Sequence, residues 1–216
     1  MRITLATSLV GARMKPLHTE VTWRRSTNFA AAVGDANPWY LDDERPDGIV
    51  APPMLAVSLT WPLSLAFTDL LDERGFEAAV PRQVHYTEHL VWHRLVRPGE
   101  TLHIDGEVIG VLPHAAGTLG VVRFVAHDDA GQVVFTEVSG AMFRGVRCEG
   151  SDGGCDGAPE QPVRVEAPEP LWVAPLHVDP LASRIYDGCG DLHFPIHTSP
   201  KFARSVGLPG IIVHGT

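Results

Sequence analysis

Apolar residues recur at helical spacing in a long stretch over residues 54–71. Spacing of this kind, in a stretch with few charges, predicts a mostly buried helix. A shorter helix is predicted over residues 23–33, because three consecutive alanines favour helix and Gly34 is placed to end it. The first regular elements predicted from the pattern are therefore a short helix and a long buried one.

The pattern changes to that of β-strands from Gln83 onward. Leu102, Ile104 and Val108 keep a period of two, and two later runs are rich in β-branched side chains. Turn residues separate the runs at 97–100, 113–117 and 128–131. One buried helix followed by a meander of long strands is the order expected of an α+β protein in which an antiparallel sheet wraps a central helix.

Residues 149–170 interrupt this order. They are dense in Gly, Pro and acidic residues and show no apolar periodicity, which is typical of a linker. We therefore divide the chain into a first segment, 1–148, a linker, 149–170, and a second segment, 171–216.

The second segment twice shows a capping residue followed by proline, at 179–180 and at 199–200. This pair of residues is a common start of a helix. After the first start, Leu181, Ile185 and Cys189 fall on one stripe, which predicts the buried face of that helix.

The two segments also repeat one order of residues. In the first, a predicted helix leads into GDANPWY at 34–40 and then GIVAPP at 48–53. In the second, a predicted helix leads into GDLHFPIH at 190–197 and then LPGIIVHGT at 208–216. The shared order is a helix, Gly-Asp, Pro, and then Gly with an apolar triplet, with one extra residue between Asp and Pro in the second copy.

The second copy resembles the hydratase 2 motif of MaoC-type dehydratases, broadly Tyr-x-x-x-Gly-Asp-x-Asn-Pro-Ile-His. The matching residues are Tyr186, Gly190, Asp191, Pro195, Ile196 and His197, and the later LPGIIVHG stretch matches as well. The first copy resembles the non-catalytic N-terminal repeat of double hot-dog members of this family, with Tyr40 in place of the motif's histidine. The resemblance implies an α+β double hot-dog fold whose first repeat is degenerate and whose second repeat is incomplete.

Hydration of an enoyl thioester needs a group that takes a proton from water, a proton for C2, and stabilisation of the thioester oxygen. The resemblance implies that Asp191 and His197 form the acid/base pair and that the backbone N–H of Gly215 donates to the thioester carbonyl. It implies an (R)-specific enoyl-CoA hydratase or 3-hydroxyacyl-thioester dehydratase, with an acyl-CoA thioester as substrate. It implies no cofactor, either metal or redox.

Two features depart from the family pattern. Phe194 stands where the motif has asparagine, so a polar contact to the site is missing or comes from elsewhere. The sequence also stops at Thr216, before the central helix and strands that a second hot-dog repeat needs. We therefore expect a longer gene product, and we expect the 216-residue chain to be inactive and protease-sensitive from about Glu149 onward.

Simpler interpretations stand beside this one. Asp191 can cap the loop after its helix while His197 fills a polar pocket. We leave His193 and His214 outside the predicted site, because a neighbouring histidine more often satisfies a local hydrogen bond. Asp35 in the first copy lacks a histidine partner and is interpreted as retained loop architecture.

Composition and charge exclude several other classes. The net charge is −9, from 17 basic and 26 acidic residues, which argues against a nucleic-acid partner. No apolar run has the roughly 18 residues that a membrane span needs, so no membrane partner is expected.

Three cysteines without a CxxC motif predict a reduced, cytoplasmic protein. His85, His89 and His93 fall on a predicted strand, where histidines four apart lie roughly 13 Å from one another, too far to share a metal.

Two alternatives to a hydratase remain at this point. One is a non-catalytic hot-dog partner that binds a second chain, favoured by Phe194 and the early stop. The other is an acyl-CoA thioesterase, which shares the fold and cleaves the thioester bond. We expect a homodimer, or a hetero-oligomer with another hot-dog chain.

Overall fold

A computed structural model describes residues 2–151, 153–159, 166, 169–170 and 172–215. The helices are α1 (Trp23–Ala32), α2 (Pro38–Leu41), α3 (Leu55–Glu73), α4 (Ala182–Gly190) and α5 (Pro200–Ser205). The strands are β1 (Thr4–Ala6), β2 (Leu17–Glu20), β3 (Gln83–Trp92), β4 (Thr101–His114), β5 (Gly117–His127), β6 (Val133–Arg144) and β7 (Arg147–Glu149). Within these described residues, no helix combines the length and the apolar character needed to cross a membrane.

Five strands form one antiparallel sheet in the order β2-β4-β5-β6-β3, and β1 pairs in parallel with β7. The predicted long helix and the meander from Gln83 onward are both present, with hairpin turns at 114–117 and 127–133. The short strand β2 was not predicted, because its four residues, LHTE, carry no apolar alternation. Its place in the sheet comes from pairing with β4.

Helix α3 lies against one face of the sheet. Every fourth residue along it is buried, namely Leu55, Leu59, Leu63, Phe67 and Leu71. This spacing forms a continuous apolar stripe, because residues four apart share a helix face. The stripe packs on aromatic side chains of the strands, as in the edge-on contact of the Phe67 and Phe143 rings at 6.3 Å.

The opposite face of the sheet carries a smaller apolar cluster around Ile109, Val121 and Met142. The beginning of the predicted linker covers it: residues 153–155 pair with the free edge of β4, and Cys155 packs on the cluster. Linker residues 152, 160–165, 167 and 168 lie outside the described residues, and the predicted division of the chain stays a prediction.

The second segment packs on the first through α4 and α1. The rings of Tyr186 and Phe29 meet at 5.7 Å, and both residues are buried. Gly190 lies at the same contact, where a Cβ would meet Leu192 at 3.4 Å and Phe29 at 3.7 Å, which is ordinary van der Waals contact. The buried face of α4 is thus Ser183, Tyr186 and Gly190.

The predicted start and stripe of α4 are wrong. The carboxylate of Asp179 accepts the N–H of Leu181 at 2.7 Å in a turn, and the helix begins only at Ala182. Leu181 and Ile185 are 56% and 47% exposed. The aromatic contact with α1, and not the aliphatic stripe, sets the rotation of this short helix. The predicted start of α5 is confirmed, since Ser199 caps it by accepting the N–H of Phe202 at 3.2 Å.

Candidate active site

A cavity of about 200 Å³ lies between α3, the strands β3 and β6, and the second segment. The long helix contributes the apolar residues Val57, Trp61 and Leu65 to its wall. The sheet contributes His85, Glu88, Glu137 and Ser139, and the second segment contributes Leu192, Phe194, Ile196, His197, Ile212, Val213, His214 and Gly215. Both halves of the chain therefore build the same pocket.

His197 ends a 3-10 turn, Pro195–His197, in the cavity wall. Its Nδ1 lies 2.9 Å from the carbonyl oxygen of Ile212. Because a carbonyl can only accept, Nδ1 carries the proton in this bond and Nε2 keeps a free lone pair. Burial lowers the pKa of His197, opposed by the Ile212 hydrogen bond and the Asp187 carboxylate, so the ring is a neutral base near neutral pH.

His214 stacks on His197, with ring centroids 3.7 Å apart and an angle of 24° between the planes. Its Nε2 donates to the carbonyl oxygen of Leu192 at 3.1 Å. The pKa of His214 is lowered to about 4, mainly because the ring is buried and, to a smaller extent, because His197 lies beside it. The structure thus places His214 in the cavity, contrary to the prediction that it lies outside the site. The side chain of His193 is 74% exposed, and its Nδ1 lies 3.5 Å from Oδ2 of Asp187.

Asp191 sits elsewhere. It is the C-cap of α4, in the left-handed conformation with φ 53°, and its side chain is 69% exposed. Its Oδ2 lies 3.8 Å from Nε of Arg25, and it is not among the residues that line the cavity. The structure therefore places His197 and Gly215 in one pocket but does not bring Asp191 into it, since the Asp191 carboxylate pairs with Arg25 instead.

Arg25 is a residue that the sequence reasoning missed. Its Nε donates to the hydroxyl of Ser58 at 3.0 Å, and its guanidinium also donates to the carbonyl oxygen of Ser58 and to the hydroxyl of Thr19. Burial lowers the pKa of this guanidinium, and the Asp191 carboxylate opposes that effect. An arginine inside a helix is ordinarily a surface residue, so only the fold reveals this position.

Gly215 lies directly against β3. A Cβ at this position would lie 3.0 Å from Cδ2 of His85, a tight contact that the imidazole would have to relieve by shifting a few tenths of an ångström. Gly215 and the preceding His214 both line the cavity.

Two further carboxyl groups of the cavity, the buried Glu137 and the half-buried Glu88, were not predicted from the sequence. Glu137 is 2% exposed, and both of its carboxyl oxygens lie within hydrogen-bond distance of the single Thr60 hydroxyl, at 3.0 and 3.1 Å. Burial raises the pKa of Glu137 well above its ordinary value, and the nearby Glu88 adds to this. Burial also raises the pKa of Glu88 to about 7, with the hydroxyl of Ser139 opposing.

The register of β3 and β6 explains why these acids meet. Glu88 pairs with Ser139, so Glu137 is its diagonal neighbour on the same face. A β-bulge between His85 and Thr87 turns His85 to that face as well, although it lies three residues from Glu88. One feature of the sequence indicates the burial of Glu137. It lies two residues after Phe135 on the same strand, so its side chain points to the same core-facing side of the sheet.

In the first copy of the repeat, the polar side chains hold the loop. The carboxylate of Asp35 accepts the N–H of Asn37 at 3.0 Å, and the Asn37 side chain accepts the N–H of Trp39 at 3.1 Å. These contacts cap α2 and match the interpretation of Asp35 as loop architecture. Across the part of the chain that is described, no group of three or more His, Cys, Asp or Glu side chains could hold a metal ion.

Comparison with known proteins supplies the family. Residues 8–137 match the family described as FAS1-like, dehydratase domain region. A UPF0336 protein of Streptomyces coelicolor is 31% identical over 141 residues, which are 62% of this chain and 91% of that protein. The 3-hydroxyacyl-thioester dehydratase X of Mycobacterium tuberculosis is 26% identical over 162 residues, which are 74% of this chain and 55% of that protein.

The fold has solved counterparts. The crystal structure of a MaoC-like dehydratase from Phytophthora capsici superimposes with a TM-score of 0.73 at 20% identity, covering 96% of this chain and 71% of that chain. The predicted α+β hot-dog fold is thereby confirmed, as is the predicted membership of a hydratase/dehydratase enzyme family. The chain belongs to the family described as FAS1-like, dehydratase domain region, and it shares the hot-dog fold of the MaoC-like dehydratase structure.

Proposed function

We propose that the protein is an (R)-specific enoyl-CoA hydratase, or 3-hydroxyacyl-thioester dehydratase acting in the reverse direction. One observation carries the proposal: His197, with a free Nε2 lone pair, and the backbone of Gly215 line the same cavity. A base for water and a donor for the thioester oxygen are what hydration of an enoyl thioester requires.

In the proposed reaction the N–H of Gly215 donates to the thioester carbonyl and stabilises the enolate oxygen. Water oxygen bonds to C3 as its proton is removed, the electrons of the C2–C3 double bond move toward the carbonyl, and C2 then takes a proton. The hydratase 2 motif assigns these two proton transfers to the pair His197 and Asp191. For Asp191 to take part, its exposed side chain has to turn from Arg25 toward the cavity.

The walls of the cavity favour an acyl substrate. Trp61 and Phe194 form an edge-on aromatic contact at 6.5 Å across the two halves of the chain. Phe194, which replaces the motif's asparagine, also contacts the rings of Phe202 and His197. Phe194 therefore forms an apolar part of the cavity wall beside the proposed base, His197. This part of the wall suits the carbon chain of a thioester.

Substitution of the proposed acid/base pair tests the mechanism. In the full-length product, we expect His197→Ala and Asp191→Asn each to lower the rate of hydration roughly 10²-fold or more, the usual scale for loss of a general acid or base. Asp35→Asn is the matched control, because it alters the corresponding Gly-Asp of the first copy, and we expect turnover to change little. A variant that keeps more than half of the parent's kcat has lost no catalytic group.

Incubation of the full-length product with crotonyl-CoA tests the reaction class. Loss of the enoyl absorbance without release of free thiol is the expected result. Release of free thiol instead means that the protein is a thioesterase. If neither the enoyl absorbance nor the amount of free thiol changes, the result supports a non-catalytic binding role. Chiral analysis of the 3-hydroxybutyryl product checks the proposed (R) configuration.

We also propose that the protein works as a homodimer or with another hot-dog chain. Within the described residues, β3 pairs only with β6, so its outer edge carries backbone groups that a further strand can use. Light scattering coupled to size-exclusion chromatography measures the assembly, and a strictly monomeric active protein would contradict this expectation.

A further inference from the structure

His214 lines the cavity and is held there on three sides. The ring of Tyr186 packs on it at 4.8 Å, and its Nε2 donates to the carbonyl oxygen of Leu192 at 3.1 Å. On the third side its ring lies against the ring of His197, with centroids 3.7 Å apart and an angle of 24° between the planes. Because Tyr186 and Leu192 are both buried, His214 presents a fixed flat surface to His197.

The packing behind His214 continues into the first segment. Tyr186 also contacts the ring of Phe29 in α1, at 5.7 Å. Three successive ring contacts therefore connect α1 to His197, through Tyr186 and His214. Phe29 and Tyr186 belong to the main hydrophobic core, where close packing leaves side chains little room to move.

His197 has few other constraints. Its ring makes one hydrogen bond to the described part of the chain, from Nδ1 to the carbonyl oxygen of Ile212 at 2.9 Å. A single hydrogen bond sets the tautomer but leaves the ring free to turn about the axis of that bond. The contact with the ring of Phe194 is looser, at 6.5 Å. The close parallel contact with His214 is therefore the one that fixes the plane of the His197 ring.

His214 is not placed to act as a second base. Its Nδ1 is buried without a hydrogen-bond partner among the described residues, so a substrate in the cavity does not reach that lone pair. Its pKa is lowered to about 4, so the ring is neutral near neutral pH and does not repel a proton on His197. The Asp187 carboxylate acts on both rings and favours their protonated forms.

We propose that His214 is a positioning residue for His197. Its ring covers one face of the proposed base and fixes the plane in which the free Nε2 of that base lies. This inference rests on the proposed function only in taking His197 as the base. The role of His214 is to hold that base, and not to exchange protons with the substrate.

Two substitutions separate the ring of His214 from its hydrogen bond. His214→Phe keeps a flat ring in the stack and removes both nitrogens. His214→Gln removes the ring, but its amide can still donate to the carbonyl oxygen of Leu192. If His214 only satisfies that carbonyl, glutamine replaces it. If the ring positions His197, only phenylalanine replaces it.

Nuclear magnetic resonance of the imidazole nitrogens in the 216-residue chain tests the proposal without the reaction. In the parent we expect neutral His197 to carry its proton on Nδ1, with a pKa below the ordinary value of 6.5 because the ring is buried. His214→Phe should keep both properties. In His214→Gln we expect both neutral tautomers of His197 and a pKa closer to 6.5, because the ring is free to turn and water reaches its uncovered face.

The control is His127→Gln, which removes a histidine that faces Asp105 outside the cavity and should leave both properties of His197 unchanged. The proposal is overturned if neither the tautomer nor the pKa of His197 changes in His214→Gln, or if either changes in His214→Phe. If far-UV circular dichroism shows that the glutamine variant does not fold, the phenylalanine variant decides alone. Retention of both properties then supports the proposal, and loss of either overturns it.

Turnover of crotonyl-CoA by the full-length product measures what the positioning contributes to hydration. We expect His214→Gln to lower kcat roughly tenfold to 10²-fold, the scale of a misplaced catalytic group, with a smaller change in KM. His214→Phe should keep most of the parent's kcat.

The outcomes separate this inference from the proposed function. If His197 responds to the glutamine substitution in a protein that does not hydrate crotonyl-CoA, the proposed reaction alone is contradicted. If crotonyl-CoA is hydrated and neither the His197 signals nor kcat respond to that substitution, the inference alone is contradicted.

Discussion

At the scale of single residues, the cavity is set by groups whose protonation the fold controls. His197 and His214 are held neutral by burial, and their hydrogen bonds to the carbonyls of Ile212 and Leu192 orient the two rings. Glu88 and Glu137 are also pushed toward their neutral forms. The pocket therefore holds a neutral imidazole base close to carboxyl groups whose pKa values are raised, an arrangement that suits proton transfer.

Substitution of Glu137 should change how stability depends on pH. The folded chain holds this proton more tightly than the unfolded chain, whose carboxyl titrates near the ordinary value of 4.5. As pH rises above that value, ionisation favours the unfolded chain, so the free energy of unfolding of the parent falls. Glu137→Gln removes this loss and can still accept from Thr60, so we expect it to gain stability over the parent as pH rises.

Urea unfolding of parent and variant near pH 5 and near pH 8 measures this difference. The histidines act in the opposite direction, because their lowered pKa values reduce the free energy of unfolding as pH falls below about 6.5. Parent and variant share these histidines, so comparing the two proteins at each pH cancels this contribution. A difference between variant and parent that stays constant across the range would show that Glu137 is ionised in the folded protein.

At the scale of elements, the contact of α4 with α1 fixes the second segment to the first. Helices as short as these are marginal alone and depend on tertiary packing. Tyr186 is 7% exposed and lies on Phe29, whereas the preceding residue, Ile185, is 47% exposed. One aromatic side chain thus carries most of the apolar burial of α4.

We expect Tyr186→Ala to lower the free energy of unfolding by about 2–4 kcal/mol, because it leaves a cavity against Phe29. Ile185→Ala is the matched control and should cost less than about 1 kcal/mol, as exposed substitutions usually do. Urea unfolding followed by far-UV circular dichroism gives both values. An equal loss from the two variants would mean that the stripe Leu181, Ile185 and Cys189 is buried after all.

At the scale of the whole molecule, Arg25 joins three separate parts of the chain. It donates to Thr19 in β2 and to Ser58 in α3, and it faces Asp191 at the end of α4. The residue proposed for proton transfer is therefore tied to the first segment by a half-buried cation, and its position depends on both segments.

Arg25→Met should lower the free energy of unfolding by about 2 kcal/mol, because it removes charged hydrogen bonds and leaves Ser58 without them. Arg24→Met, at the exposed neighbouring position, is the control and should have little effect. Thermal unfolding measures stability, and the rate of crotonyl-CoA hydration measures the link to Asp191. Unchanged stability in Arg25→Met would show that these hydrogen bonds contribute nothing net.

Local patterns of the sequence were sufficient to predict the main helices and strands and to predict the family. The spacing of apolar residues over 54–71 and the alternation after Gln83 predicted the central helix and the meander, because a buried stripe or face requires that period. The Gly-Asp and His-Gly motifs predicted the dehydratase family, and placed His197 and Gly215 in a site that the structure also brings together.

Only the tertiary structure decided how the halves meet. The rotation of α4, the ion pair of Arg25 with Asp191 and the burial of Glu88 and Glu137 depend on residues far apart in the chain. A local pattern cannot predict a bulge that turns His85 toward Glu88, or a stacked imidazole that lowers the pKa of His214, because both effects arise from partners that the fold supplies. The sequence by itself determined the elements and the chemistry available to them, while packing determined which of those groups share a cavity and in which protonation state.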